Sequence, residues 1–243
     1  MPITVSTLKT LPTLRREASE LLNEFDAADG LAAYYTLHHE DRRTTLAVSH
    51  SAGQVDGFLV RCMTGIDLFR PLVTLRLRGD AALPDLLEQG MVPGHPALLA
   101  VPMAYHERLE PHLDLSAVEV NHILRLNPTR FHPQRNVIVA AISDPRGSPR
   151  MEIRRYDQVV AAAGINWRSP IFAEVYVHVK EAHRLQGWGR AVLTTLISTL
   201  LKMEITPLYT VAETNGPSRE LAASLGFVDT GAREIMANAV LPG

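Results

Sequence analysis

The sequence predicts an α/β (α+β) protein made of two related halves. Short β-rich runs alternate with apolar stripes at helical spacing, and each half reads as hairpin, strand, helix, strand, helix, strand. Between Asn127 and Arg150, Asn-Pro, His-Pro, Asp-Pro and Ser-Pro pairs punctuate the chain, so the boundary is placed near His132, giving domains 1–132 and 133–243. A chain of 243 residues is long for one domain of roughly 100–200, which suits two.

The elements follow in order. Leu14, Ala18, Leu21, Leu22 and Phe25 recur at helical spacing among Arg and Glu and predict a first amphipathic helix. Thr44–Ser49 and Val55–Met63, separated by Ser51-Ala52-Gly53-Gln54, predict a hairpin. Leu72–Arg78 alternates apolar and polar residues and predicts a strand with one wet face. After it come a helix over Ala81–Gln89 closed by Gly90, a strand over Ala97–Met103, a helix over Tyr105–His112 and a strand over Val118–Leu126. In the second half Val137–Ile142, Met151–Tyr156, Val159–Trp167 and Phe172–Val179 read as strands. Gly189–Lys202 then carries Val192, Leu193, Leu196, Ile197, Leu200 and Leu201 as one broad apolar stripe of a helix. A strand over Pro207–Ala212 and a helix over Pro217–Leu225, stopped by Gly226, complete the pattern.

Composition excludes several classes. Hydrophobic content of 46% and charged content of 21%, with a net charge of −2, describe a chain able to bury a core and lacking the field that draws a protein to nucleic acid. No window approaches the roughly 20 apolar residues of a membrane span, and the N-terminus lacks a signal pattern, so no membrane partner is expected. The only cysteine, Cys62, lies in an apolar run and fits the core of a cytoplasmic protein. His38-His39-Glu40-Asp41-Arg42-Arg43 reads as a solvated loop, His106 and His112 lack zinc spacing, and no metal site is expected.

The chemistry-bearing segment is Lys180-Glu181-Ala182-His183-Arg184-Leu185-Gln186-Gly187-Trp188-Gly189, between the strand ending at Val179 and the helix. Glycines at such a junction let the backbone turn tightly and approach a ligand with no side chain in the way. The free amides and positive dipole end of the helix then suit a pyrophosphate, with Arg184 and Arg190 adding charge nearby. No Gly-Lys-Ser/Thr follows and no third glycine completes a dinucleotide fingerprint, so a different diphosphate ligand is needed.

This segment resembles the signature of the Gcn5-related N-acetyltransferase (GNAT) superfamily, Gln/Arg-x-x-Gly-x-Gly/Ala, at Arg184, Gly187 and Gly189. Phe172–Val179 resembles that family's central strand, Leu221 through Gly226-Phe227 its later helix with a Gly-Phe end, and Asn215 its coenzyme-proximal asparagine. The resemblance implies a mixed, mostly antiparallel central sheet flanked by helices, with acetyl-coenzyme A as cosubstrate. It further implies that the amides of Leu185, Gln186, Gly187, Trp188, Gly189 and Arg190 hold the pyrophosphate, that Val177 and Val179 pair with the pantetheine arm, and that Asn215 and Ser218 lie at the coenzyme. The first half carries Gly79-Asp80-Ala81-Ala82-Leu83-Pro84 where a cradle would stand and is expected to be a degenerate copy.

Along Phe172–Val179 the period of two sets Glu174, Tyr176 and His178 on one face and Val175, Val177 and Val179 on the other. Acyl transfer to an amine needs a group to accept its proton. Glu174, at a position resembling the family's base, is the first candidate, His178 the second, and Tyr176 would line the acceptor pocket. The family's usual tyrosine before Gly-Phe falls at Ala222, leaving Tyr209, Ser218 or no side-chain acid for the leaving thiolate. The expected activity is acetyl transfer by direct attack of a primary amine, on a small molecule or a protein terminus, by a monomer or homodimer. The alternative is a non-catalytic coenzyme A-binding or regulatory module.

Overall fold

The computed structural model describes residues 9–65, 67–133, 138–144 and 147–243. In chain order they form α1 (Leu11–Ala18), α2 (Gly30–Ala33), β1 (Thr44–Ser51), β2 (Gln54–Cys62), β3 (Leu72–Leu77), α3 (Leu83–Gly90), β4 (Pro96–Pro102), α4 (His106–Leu109) and β5 (Asp114–Leu126). The second half adds β6 (Ala140–Ser143), β7 (Pro149–Arg155), β8 (Gln158–Arg168), β9 (Phe172–Val179), α5 (Trp188–Lys202), β10 (Thr206–Ala212), α6 (Gly216–Ser224) and β11 (Phe227–Val240). The fold is mixed α/β with a mostly antiparallel sheet flanked by helices.

The chain divides into two compact units that are not simple halves. One holds the described residues up to Asn23, Leu31–Glu119 and Ile235–Gly243; the other holds Glu24–Gly30 and Val120–Glu234. The division falls inside β5, between Glu119 and Val120, whereas the proline-rich stretch placed it near His132.

In the first unit β1, β2 and β3 are antiparallel, and β3 pairs parallel with β4 at Leu72↔Leu98 and Val73↔Leu99. Gly90, at the end of α3, allows the helix to sit directly on β2: a Cβ there would fall 2.2 Å from Leu59 Cδ2. Cys62 is fully buried, and desolvation pushes its thiol up to about 11, as suits a core residue.

The first helix ends at Ala18 and tightens into a 3-10 turn over Ser19–Leu21, so Phe25 is not on it. β3 has no wet face: Thr74 and Arg76 are 0% and 8% exposed, and the Arg76 guanidinium reaches the Leu75 carbonyl. Polar alternation signalled polarity, not exposure, in a strand that pairs parallel with its neighbour. Tyr105–His112 yields only a 3-10 turn and the single turn of α4. His38 ends a π-helical turn, Tyr34–His38, and His39 is buried with Nδ1 2.9 Å from Thr44 Oγ1, whereas His38 and Glu40 to Arg43 are exposed as expected. Val137, at the start of one expected strand, lies outside the described residues.

In the second unit β6, β7, β8 and β9 form an antiparallel run, β9 is parallel to β10, and β10 is antiparallel to β5. The apolar stripe of α5 packs on one face of this sheet, where Val192, Leu193, Leu196, Ile197 and Leu200 are buried with Val175, Ala163, Ile153 and Tyr209. Val177 and Val179 join the edge of that core, which leaves the other face of β9 to the polar set. Gly226 ends α6 at φ +90°, and a Cβ there would fall 2.8 Å from the Arg130 carbonyl carbon, so glycine is required twice over.

Candidate active site

β9 and β10 pair only at Thr206↔Phe172, Pro207↔Ala173 and Leu208↔Glu174, and then diverge. From Val175 onward the side of β9 that would face β10 has no ladder partner. Backbone N–H and C=O groups left this way need another source of hydrogen bonds. The divergence opens a cleft of about 640 Å³.

At the mouth of this cleft the chain leaves β9 through a 3-10 turn, Glu181–His183, and enters α5 across the cradle. Gly187 is the N-cap at φ +78°, with nothing within 4 Å of a Cβ position, so it is there for its backbone angle and for open space. Gly189 has a different reason: a Cβ would press to 3.2 Å of Val179 Cγ2. Leu185 also takes a left-handed angle, φ +62°, with its side chain fully exposed, an arrangement that costs free energy and buys no burial. Trp188 stacks on His183 at 5.0 Å, and the Arg155 guanidinium lies over the same indole at 5.6 Å, which fixes the first turn of α5.

The cleft is lined by Val177, His178, Val179, Arg184, Leu185, Gly187, Trp188, Gly189, Arg190, Asn215 and Ser218, all singled out above, together with His183, Pro217 and Leu221. Gln186 stands in the cradle but not in the lining, and of the polar set on β9 only His178 reaches the lining, Glu174 and Tyr176 lying outside it. The Arg190 guanidinium is engaged by Ser224, through the hydroxyl at 2.6 Å and the carbonyl, whereas Arg184 is exposed. Asn215 caps α6, its Oδ1 accepting from the Ser218 amide at 3.2 Å.

Around Glu174 the sheet is irregular. A bulge in β8 between Ile165 and Trp167 brings Asn166 Nδ2 to 3.3 Å of Glu174 Oε1 and sets Trp167 opposite Glu174. Desolvation raises the Glu174 pKa above the ordinary carboxylate value, against hydrogen bonds from Asn166, Trp167 and Thr210 that lower it. These neighbours, and the bulge that aims them, are absent from the alternation pattern that located Glu174. Gly30 packs here too: a Cβ would lie 3.0 Å from both Trp167 and Leu208.

Tyr176 is held by two contacts. Its hydroxyl accepts from Arg150 Nη1 at 2.7 Å, and Arg150 is itself anchored through Nε to the buried Glu152, also at 2.7 Å. The Tyr176 ring lies over Gly164, where a Cβ would fall 2.6 Å from the hydroxyl oxygen. Gly164→Ala is therefore expected to cost about 1–3 kcal/mol by overpacking, measured by urea unfolding, and to shift Tyr176 off Arg150.

Ala222 is fully buried, and α6 meets the cleft through Pro217, Ser218 and Leu221 instead. The Tyr209 hydroxyl bonds Ser218, and burial raises its pKa, so it remains a proton donor at neutral pH. Among the described residues no group of three or more His, Cys, Asp or Glu could hold a metal ion, and no helix is long and apolar enough to cross a membrane.

A parallel pair of strands that diverges over a glycine cradle, with a helix aimed at the opening, defines a GNAT-type fold. Residues 151–235 match the GNAT acetyltransferase family, which covers the cradle, β9, α6 and the Gly-Phe pair. Solved structures share the fold over most of the chain. A GCN5-related N-acetyltransferase-like protein of Streptococcus suis is 12% identical, with 94% of this chain and 100% of that one covered at a TM-score of 0.63. A GCN5-related N-acetyltransferase of Kribbella flavida is 16% identical, with 89% and 94% covered at 0.59. A tandem GNAT protein from the clavulanic acid biosynthesis pathway is 13% identical, with 98% and 97% covered at 0.56. No curated protein matches in sequence.

Proposed function

We propose that this chain is an acetyltransferase that moves an acetyl group from acetyl-coenzyme A to a primary amine by direct attack, in the cytoplasm. The observation that carries this reading is the union of the diverging β9–β10 pair with the Gly187–Gly189 cradle in one cleft. The amides from Leu185 to Arg190 hold the pyrophosphate at the positive end of α5, with Arg184 free to add charge. The unpaired edge of β9 at Val177 and Val179 receives the pantetheine amides. Bound there, acetyl-coenzyme A supplies an activated acetyl group as a thioester.

Glu174 accepts the amine proton, directly or through water, its raised pKa bringing it closer to the range where a base works. Tyr176, held by Arg150, lines the acceptor side. Ser218, backed by Tyr209, holds a proton for the departing thiolate in place of the side chain missing at Ala222. The first unit, without a cradle, is a degenerate copy of the second. The burial of Ala222 favours one rival, coenzyme A binding without catalysis.

Calorimetric titration with coenzyme A tests the reading: micromolar 1:1 binding is expected, and no heat at millimolar ligand overturns it. Acetyl transfer to a panel of primary amines then separates the enzyme from the non-catalytic module.

A further inference from the structure

A second cleft lies wholly within the first unit, with a volume of about 350 Å³. Register explains its floor. Thr45, Arg61 and Val73 are direct partners across β1, β2 and β3, so they form one row on one face of the sheet. Leu59 shares that face, two residues back along β2, and is fully buried beneath the end of α3. The helix stops at Gly90, and the next row is left unroofed. Arg61 thus occupies a position on an interior strand where the preceding residue of the same face is core leucine.

The charges here are uncompensated. Arg42 and Arg43 stand beside Arg61 at the entry to β1, and no carboxylate lines the cleft. Of the acids near in sequence, Asp41 accepts from Arg15 at 2.6 Å, Asp67 accepts from Arg70 at 2.7 Å and from the amides of Phe69 and Arg70, and the exposed Glu40 lies outside the cleft lining. Among the described residues Arg42 and Arg43 form no ion pair, and the one side-chain contact of Arg61 is a long 3.5 Å to Thr45 Oγ1. Arg61 is half-buried at the cleft, its guanidinium held by one long contact, so its donors remain available to an anion.

Apolar groups make up the rest of the cleft. Val73 and Met91 are buried in its floor, while Met63, Val92 and Phe69 stand exposed at its rim, Phe69 at 89%. Guanidinium groups bind carboxylate and phosphate through paired N–H donors, and a concave apolar site with a few convergent polar groups is the usual form of a small-molecule pocket.

We infer that this cleft binds a small amphipathic anion, its carboxylate or phosphate head on Arg61, Arg42 and Arg43 and its apolar body against Val73, Met63 and Met91. This site is separate from the cradle and does not depend on the acetyltransferase reading.

The test uses the full chain with the aromatic sulfonate 8-anilinonaphthalene-1-sulfonate as a fluorescent anion and N-phenyl-1-naphthylamine as its uncharged counterpart. Saturable binding of the sulfonate is expected, weakened at least tenfold in Arg61→Leu and in Arg43→Glu, while Arg61→Leu keeps its affinity for the neutral probe. Arg61→Leu should melt close to the wild-type temperature, since the half-buried Arg61 makes only one long side-chain contact. Hexanoate and hexyl phosphate should displace the sulfonate, and the one effective at lower concentration identifies the head group. Unchanged sulfonate affinity in both variants, parallel loss of the neutral probe, or failure of both competitors would each overturn the inference.

Discussion

Gly187→Glu is expected to weaken coenzyme A binding at least about 100-fold, equivalent to about 2.7 kcal/mol. The substitution meets no protein atom, because nothing lies within 4 Å of the Cβ position. Its effect has two other sources. A side chain at φ +78° strains the left-handed turn by roughly 1–2 kcal/mol, and a carboxylate enters the open space at the N-terminus of α5, where the proposed pyrophosphate would sit. Gly187→Ala carries only the first of these and should lose about tenfold. Calorimetric titration measures both, and a Glu variant that binds within threefold of wild type would mean that the cradle does not hold the pyrophosphate.

For Glu174→Gln the expected result is a fall in kcat of about 10²–10³, with the dissociation constant for coenzyme A unchanged. Glu174 does not line the cleft, so on the proposed reading its loss should slow the chemistry and leave binding intact. The base must be ionised to work, and burial raises its pKa. Wild-type kcat should therefore fall as pH drops through that raised value, and this acid limb should vanish in the Gln variant. Stability runs the other way. Because the folded state favours the protonated acid, ionising Glu174 costs stability, a cost absent below the unfolded pKa of about 4.3 and fully present above the folded pKa. The Gln variant should melt higher than wild type at neutral pH, and the gap should close as pH falls below about 4. Full kcat in the variant would remove Glu174 from the mechanism.

The parts of this molecule legible in its sequence are those set by local rules. The period-two face of β9, the apolar stripe of α5 and the helix stop at Gly226 each follow from spacing within a dozen or so residues. Gly187 and Gly189 could be picked out together, but not their separate reasons, since one answers to a backbone angle and the other to Val179 across the cleft.

What escaped depends on register between distant segments. The β8 bulge that aims Asn166 and Trp167 at Glu174 leaves no mark in a pattern of alternation, and the row of Thr45, Arg61 and Val73 exists only once three strands are aligned. Likewise, Thr74 and Arg76 are polar by composition and buried by position. The assignment of Glu24–Gly30 and Ile235–Gly243 each to the unit away from its chain neighbours rests on contacts that no local window spans.

The parting of β9 and β10 has one more consequence. A strand edge without a neighbour invites other chains to zip onto it, and sheets are commonly defended against that by bulges, charges or covering loops. Here the open edge is short, closed at one end by the parallel ladder at Leu208↔Glu174 and at the other by the turn into α5. A polypeptide finds too little length to extend a sheet. A slender molecule bringing a few amides of its own fits such an edge better than a strand does, so on the proposed reading the same wedge that would admit the pantetheine arm would also be poor ground for sheet extension.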